Sequence, residues 1–134
     1  MAGSIRATAG GPVAVEPLPG RPIAMFNTDI LDSEISRTAE RLEIERKGIL
    51  AKVISALRSG APDLGVREAY VVGSLVHEGE WTDASDVDVA VSGADPLQIM
   101  LLVERASGRV VDVIDLDGHP EPGMLRRRGT KIVG

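Results

Sequence analysis

Asp86-Val87-Asp88-Val89-Ala90-Val91 is the stretch on which the fold turns. Short acids alternating with β-branched residues predict a strand, and residues two apart on a strand share a face. Asp86 and Asp88 therefore project together, their Cα atoms about 6–7 Å apart. The valines point the other way and read as core. Two like charges this close on an apolar strand disfavour folding unless something neutralises them. A lone Asp-x-Asp more often sits in solvent or caps a turn, so the pair argues chemistry only in company.

Company comes from both sides. Upstream, an extended segment Val66–Val72 ends at Gly73-Ser74. Glycine lets the backbone turn tightly there, and free N–H groups beside a serine hydroxyl form a small anion cradle. A polar loop, Leu75 to Ser85, returns straight into the aspartate strand, so cradle and carboxylates can meet at one sheet edge. Gly-Ser alone is an ordinary turn. A phosphate cradle beside paired acids that suit a hard cation is what phosphoryl or nucleotidyl transfer requires. Downstream, a further strand, Arg109 to Leu116, carries in its apolar run Val110-Val111-Asp112-Val113-Ile114-Asp115 acids that need a reason. Asp112 and Asp115 fall on opposite faces, and alternation leaves open which one joins the site.

The elements around these strands follow from periodicity. Ile35, Ala39, Leu42, Ile49, Val53 and Ala56 recur at helical spacing, with Leu50 and Leu57 widening the stripe and Arg46 breaking it. The pattern predicts an amphipathic helix of about seven turns, capped at Asp32 or Ser33 and stopped by Gly60 and Pro62. Its apolar face packs on its own domain or, alternatively, on a partner. Asp95-Pro96 opens a second helix that Gly108 closes. A short helix near Met124–Arg128 and a strand Lys131–Val133 complete the chain. The order α-β-β-α-β-α-β predicts an α/β (α+β) fold, a mixed sheet with helices packed on it. Four of the eight prolines and four of the fifteen glycines fall within residues 1–22. Residues 1–25 accordingly read as a flexible leader and 26–134 as one domain.

Composition bounds the rest. The 134 residues carry 15 basic and 20 acidic side chains, a net charge of −5, and only Phe26, Tyr70 and Trp81 as aromatics. That balance lacks the basic footprint and stacking surfaces of a nucleic-acid binder. With no cysteine there is no disulfide framework. No apolar run reaches the ~20 residues of a membrane span, and Met1–Gly20 lacks the apolar core of a secretory signal. The expectation is a cytoplasmic protein.

Val72-Gly73-Ser74, eleven residues, then Asp86-Val87-Asp88-Val89 resembles the signature of the polymerase-β-like nucleotidyltransferases. With Val111-Asp112-Val113-Ile114-Asp115-Leu116, Leu125 and Gly129, it is similar to the minimal nucleotidyltransferase (MNT) domain over residues 66–134. The resemblance implies that Asp86, Asp88 and Asp112 are catalytic and ligate a pair of Mg²⁺ ions. It implies that Gly73 and Ser74 hold the phosphates of a nucleoside triphosphate, ATP for choice. It further implies a helical HEPN-type toxin as partner, neutralised by addition of AMP to a hydroxyl. Catalytically impaired binding to the partner, or transfer to a small molecule such as an aminoglycoside, are the alternatives.

The sequence also departs from the family pattern. Leu75-Val76-His77-Glu78 replaces a shorter turn that carries arginine in many MNT domains, and Glu78, Glu80 and Asp83 add negative charge beside the cradle. His77, or the run Arg126-Arg127-Arg128, is available to supply the missing donor or charge.

Overall fold

A computed structural model describes residues 28–134. The described residues fall into two units, one through Arg37 and the other Thr38–Gly134. The leader predicted for residues 1–25 lies outside the described residues.

Four strands form one mixed sheet: β1 (Glu68–Val72), β2 (Val87–Ser92), β3 (Val111–Asp115) and β4 (Thr130–Val133), in the order β3-β2-β1-β4. β1 lies antiparallel to both β2 and β4, while β2 and β3 are parallel. Parallel neighbours need a crossover, and α2 (Pro96–Ser107) supplies it. The Asp95 side chain caps α2 by accepting from Leu97 N at 3.0 Å, and Gly108 closes it in the left-handed conformation, as predicted.

Period-two alternation assigns the sheet faces. Ala69, Val71, Val87, Val89, Val91 and Val111 turn to one side and are buried against Ile49, Val53 and Leu57 of α1 (Thr28–Leu64) and Ile99 and Val103 of α2. Tyr70, Val72 and Ala90 turn to the other, where Leu116 and the half-buried Ile114 and Leu125 cover them. Leu125 belongs to α3 (Pro122–Arg128). A fully buried aliphatic side chain contributes about 1.5–3 kcal/mol, so the first, far larger cluster dominates stability.

The long helix departs from expectation at its C-terminal end. Gly60 and Pro62 do not stop it; α1 runs through both to Leu64. Proline there forfeits one ladder bond, and Ala61 behind it is buried. Termination comes at Gly65, whose φ of +74° places it in the left-handed region. Val66 N then donates back to Ala61 O at 3.1 Å, closing a Schellman motif. The predicted stripe is used only in part: Leu42, Ile49, Leu50, Val53 and Leu57 pack in the core, whereas Ile35 and Ala39 are exposed. The strands are also trimmed, β1 starting at Glu68 rather than Val66 and β3 covering Val111–Asp115 rather than residues 109–116. Leu116 instead opens a 3-10 turn that the Asp115 side chain caps.

Candidate active site

The site is built where β1 and β2 meet at one end of the sheet. β1 runs out at Val72, which pairs with Asp88. Gly73 follows with φ +74° and starts a 3-10 turn, Gly73–Val76. A Cβ at Gly73 would lie 2.6 Å from Asp88 Oδ2, so the backbone passes the carboxylate where only glycine fits. The turn that carries Ser74 is thus set against Asp88 by close backbone approach.

Register sets Asp112, and not Asp115, beside Asp88. Asp88 and Asp112 are partners across the parallel β2–β3 pair, and adjacent residues of neighbouring strands share a face, about 4.8 Å apart. Asp112 is exposed on the face that carries Asp88. Asp115 sits on the opposite face, where its side chain accepts from Asp117 N at 3.0 Å. Asp86 lies just ahead of β2, exposed.

These three acids create a local field. The Asp88 carboxyl is pushed above the usual carboxylate range, first by its burial, then by the charges of Asp112 and Asp86. No hydrogen bond or ion pair reaches the side chains of Asp86, Asp88 or Asp112 among the described residues. Unneutralised oxygens of this kind suit a hard divalent cation, which prefers carboxylate ligands. As they stand, however, no three metal-ligating side chains among the described residues converge on one point. Asp86, Asp88 and Asp112 share an edge and a field rather than a ready-made cage.

Several supporting residues escape a reading of the sequence. Arg46, the break in the apolar stripe of α1, is buried and donates from Nη1 to Leu75 O at 2.8 Å. Its other nitrogens fork onto the Glu43 carboxylate and hold that carboxyl below its ordinary range. The turn after Gly73 is thereby tied to α1. Trp81, buried within the polar loop, donates to Glu45 Oε1 at 2.9 Å, and the Arg109 guanidinium lies 4.7 Å above its ring. Arg109 also donates to Ser85 O at 2.8 Å, immediately before Asp86. A two-pronged Arg41–Asp83 pair, 3.1 and 3.2 Å, offsets one of the three loop acids. The signals were a charge inside an apolar stripe and a lone tryptophan in a polar loop. His77 gives its backbone N–H to Ser74 O at 3.3 Å, and its ring makes no hydrogen bond among the described residues.

No family model matches the chain. No curated protein matches it either. Solved structures do. The chain is similar to a toxin–antitoxin structure with AMP-PNP, at 25 % identity and a TM-score of 0.49 over 63 % of this chain and 72 % of that one. It is similar to a mutant of the MntA-HpeT toxin–antitoxin, at 26 % identity and a TM-score of 0.47 over 63 % and 71 %. A third is the tri-AMPylated HEPN toxin of Shewanella oneidensis in complex with MNT antitoxin, at 23 % identity and a TM-score of 0.46 over 66 % and 72 %.

Proposed function

We propose that this chain is a Mg²⁺-dependent nucleotidyltransferase that adds AMP from ATP to a hydroxyl of a helical HEPN-type toxin and acts as its antitoxin. The observation that carries the chemistry is the register: Asp88 and Asp112 side by side on parallel strands, Asp86 two residues ahead, and Gly73–Ser74 against the same carboxylate. The partner and the adenylyl group rest on the resemblance of that motif to MNT domains.

Asp86, Asp88 and Asp112 are the residues that would hold the divalent ions, whose chemistry is to neutralise charge on the phosphates and on the leaving pyrophosphate. The Gly73–Val76 turn offers backbone N–H groups and the Ser74 hydroxyl to phosphate oxygens. The acceptor hydroxyl attacks the α-phosphorus in line, forming the new O–P bond as the bond to the β-phosphate oxygen breaks. Asp112, exposed beside Asp88 on the neighbouring strand, accepts the hydroxyl proton. Arg46 and Arg109 touch neither reactant and position the two chain segments that do.

A binding-only antitoxin is the second reading, favoured by a Leu75–Glu78 turn that carries no arginine. Incubation with α-labelled ATP, Mg²⁺ and the neighbouring-gene product decides between them. Label on the partner that disappears in both Asp86→Asn and Asp88→Asn supports transfer. Full neutralisation of the partner by the double variant, without label, overturns it.

A further inference from the structure

The run Arg126-Arg127-Arg128 does not act as one unit. Arg126 is committed to structure: Nε and Nη2 fork onto Glu68 at 2.9 and 3.0 Å, and the same carboxylate accepts from the Tyr70 hydroxyl at 3.0 Å. Arg127 and Arg128 are exposed and take no carboxylate partner among the described residues, whereas Arg41, Arg46, Arg67 and Arg109 each have one.

Topology brings Arg128 to the aspartate edge. α3 leads through Gly129 into β4, whose first residue, Thr130, pairs with Val71. Gly129 abuts Val72, since a Cβ there would lie 2.7 Å from Val72 Cγ1 and 3.0 Å from Val71 O. Arg128, one residue earlier, therefore comes to the Gly73 end of β1. It is three residues from Leu125, so it shares the side of α3 that packs over Tyr70, Val72 and Ala90. That is the face bearing Asp88, which pairs with Val72. Two strand spacings, about 10 Å, separate β4 from β2. A phosphate chain lying along Gly73–Ser74 bridges that interval, with carboxylates at one end and Arg128 at the other.

We propose that Arg128 binds the terminal phosphates of the nucleoside triphosphate, supplying from the C-terminal end of the chain positive charge that the Leu75–Glu78 turn lacks. Guanidinium groups suit this because they stay charged and bond phosphate oxygens in pairs. The inference rests on the nucleotidyltransferase reading above.

Binding of Mg²⁺-ATP and of AMP, measured by calorimetry on the full chain, tests it. The Arg128→Gln variant should lose at least about tenfold in ATP affinity, one charge-assisted contact, and keep its AMP affinity, whereas Arg127→Gln should keep both. ATP binding by Arg128→Gln should also depend less steeply on salt than wild type. Equal ATP affinity in Arg128→Gln and wild type overturns the proposal. If Asp86→Asn/Asp88→Asn weakens ATP binding while Arg128→Gln does not, this inference alone falls. If wild type binds no nucleotide, the enzyme reading falls with it. Both arginines are exposed, and an unchanged circular dichroism spectrum and melting temperature certify each variant's fold.

Discussion

Asp88 bears a cost that the fold alone does not repay. Its carboxyl is half-buried, faces Asp112 across the strand pair and follows Asp86 by two residues. Burial and those charges raise its pKa, so the folded chain holds this proton more tightly than the unfolded chain does. The sign follows. Below the ordinary aspartate range, about pH 3.9, both states are protonated and no penalty exists. It grows as pH rises and is complete above the folded-state titration. In metal-free buffer at neutral pH, Asp88→Asn should therefore be more stable than wild type, by on the order of 0.5 kcal/mol from relief of like-charge repulsion, and the gap should close in acid. Adding Mg²⁺ should raise the melting temperature of wild type and not of the variant. A variant less stable than wild type at neutral pH would show that the carboxylate is already satisfied.

The 3-10 turn and the loop that follows it are held by long-range contacts from elements far away in sequence. Arg46 reaches from α1 to the Leu75 carbonyl, and Arg109 reaches from ahead of β3 to the Ser85 carbonyl. Replacing Arg46 by Met keeps the stem's packing but leaves a buried carbonyl without its donor. Unfolding by urea should show a loss of about 1–3 kcal/mol. Arg46→Lys should recover only part of it, because an ammonium cannot reproduce the fork onto Glu43 while reaching Leu75. Full recovery by lysine would show that charge alone, not the planar geometry, ties the turn down. Helix boundaries show the same dependence on distant contacts. The proline and glycine near the end of α1 read as a stop, yet the helix passes them with Ala61, between the two, buried. A close approach of Leu102 to Gly60, 2.6 Å from where a Cβ would stand, shows α2 packed on that turn.

Across the molecule the sheet separates two jobs. One face carries the aliphatic core beneath α1 and α2; the other carries a small cluster under α3, and beside it the carboxylates. Leu57, 1 % exposed at the centre of the larger cluster, should cost about 2–5 kcal/mol when cut to alanine. Ile44, 73 % exposed on the same helix, should cost no more than about 0.5 kcal/mol. Chemical denaturation of both variants checks the assignment, and equal losses would contradict it. No helix among the described residues is long and apolar enough to cross a membrane. The net charge of −5, which at first argues against phosphate chemistry, is consistent with it once part of the acid stands at one edge with Arg128 on the same face.

Much of this was legible in the residues because it is local. Strand alternation, the Asp95-Pro96 start of α2, its Gly108 cap and the spacing from Gly73-Ser74 to Asp86 and Asp88 depend on neighbours a few positions away. What only the tertiary structure decided is which side chains meet across strands and helices remote in sequence. Alternation put Asp112 and Asp115 on opposite faces without saying which face holds Asp88; the β2–β3 register set Asp112 beside Asp88, and Asp115 caps a turn. Charge patterning found three arginines in a row; Glu68 took the first, and the β4 pairing carried the last to the Gly73 end of β1. A period of two or 3.6 residues assigns a side chain to a face, whereas register and crossover are set by how apolar faces pack, and that packing is a property of the whole chain.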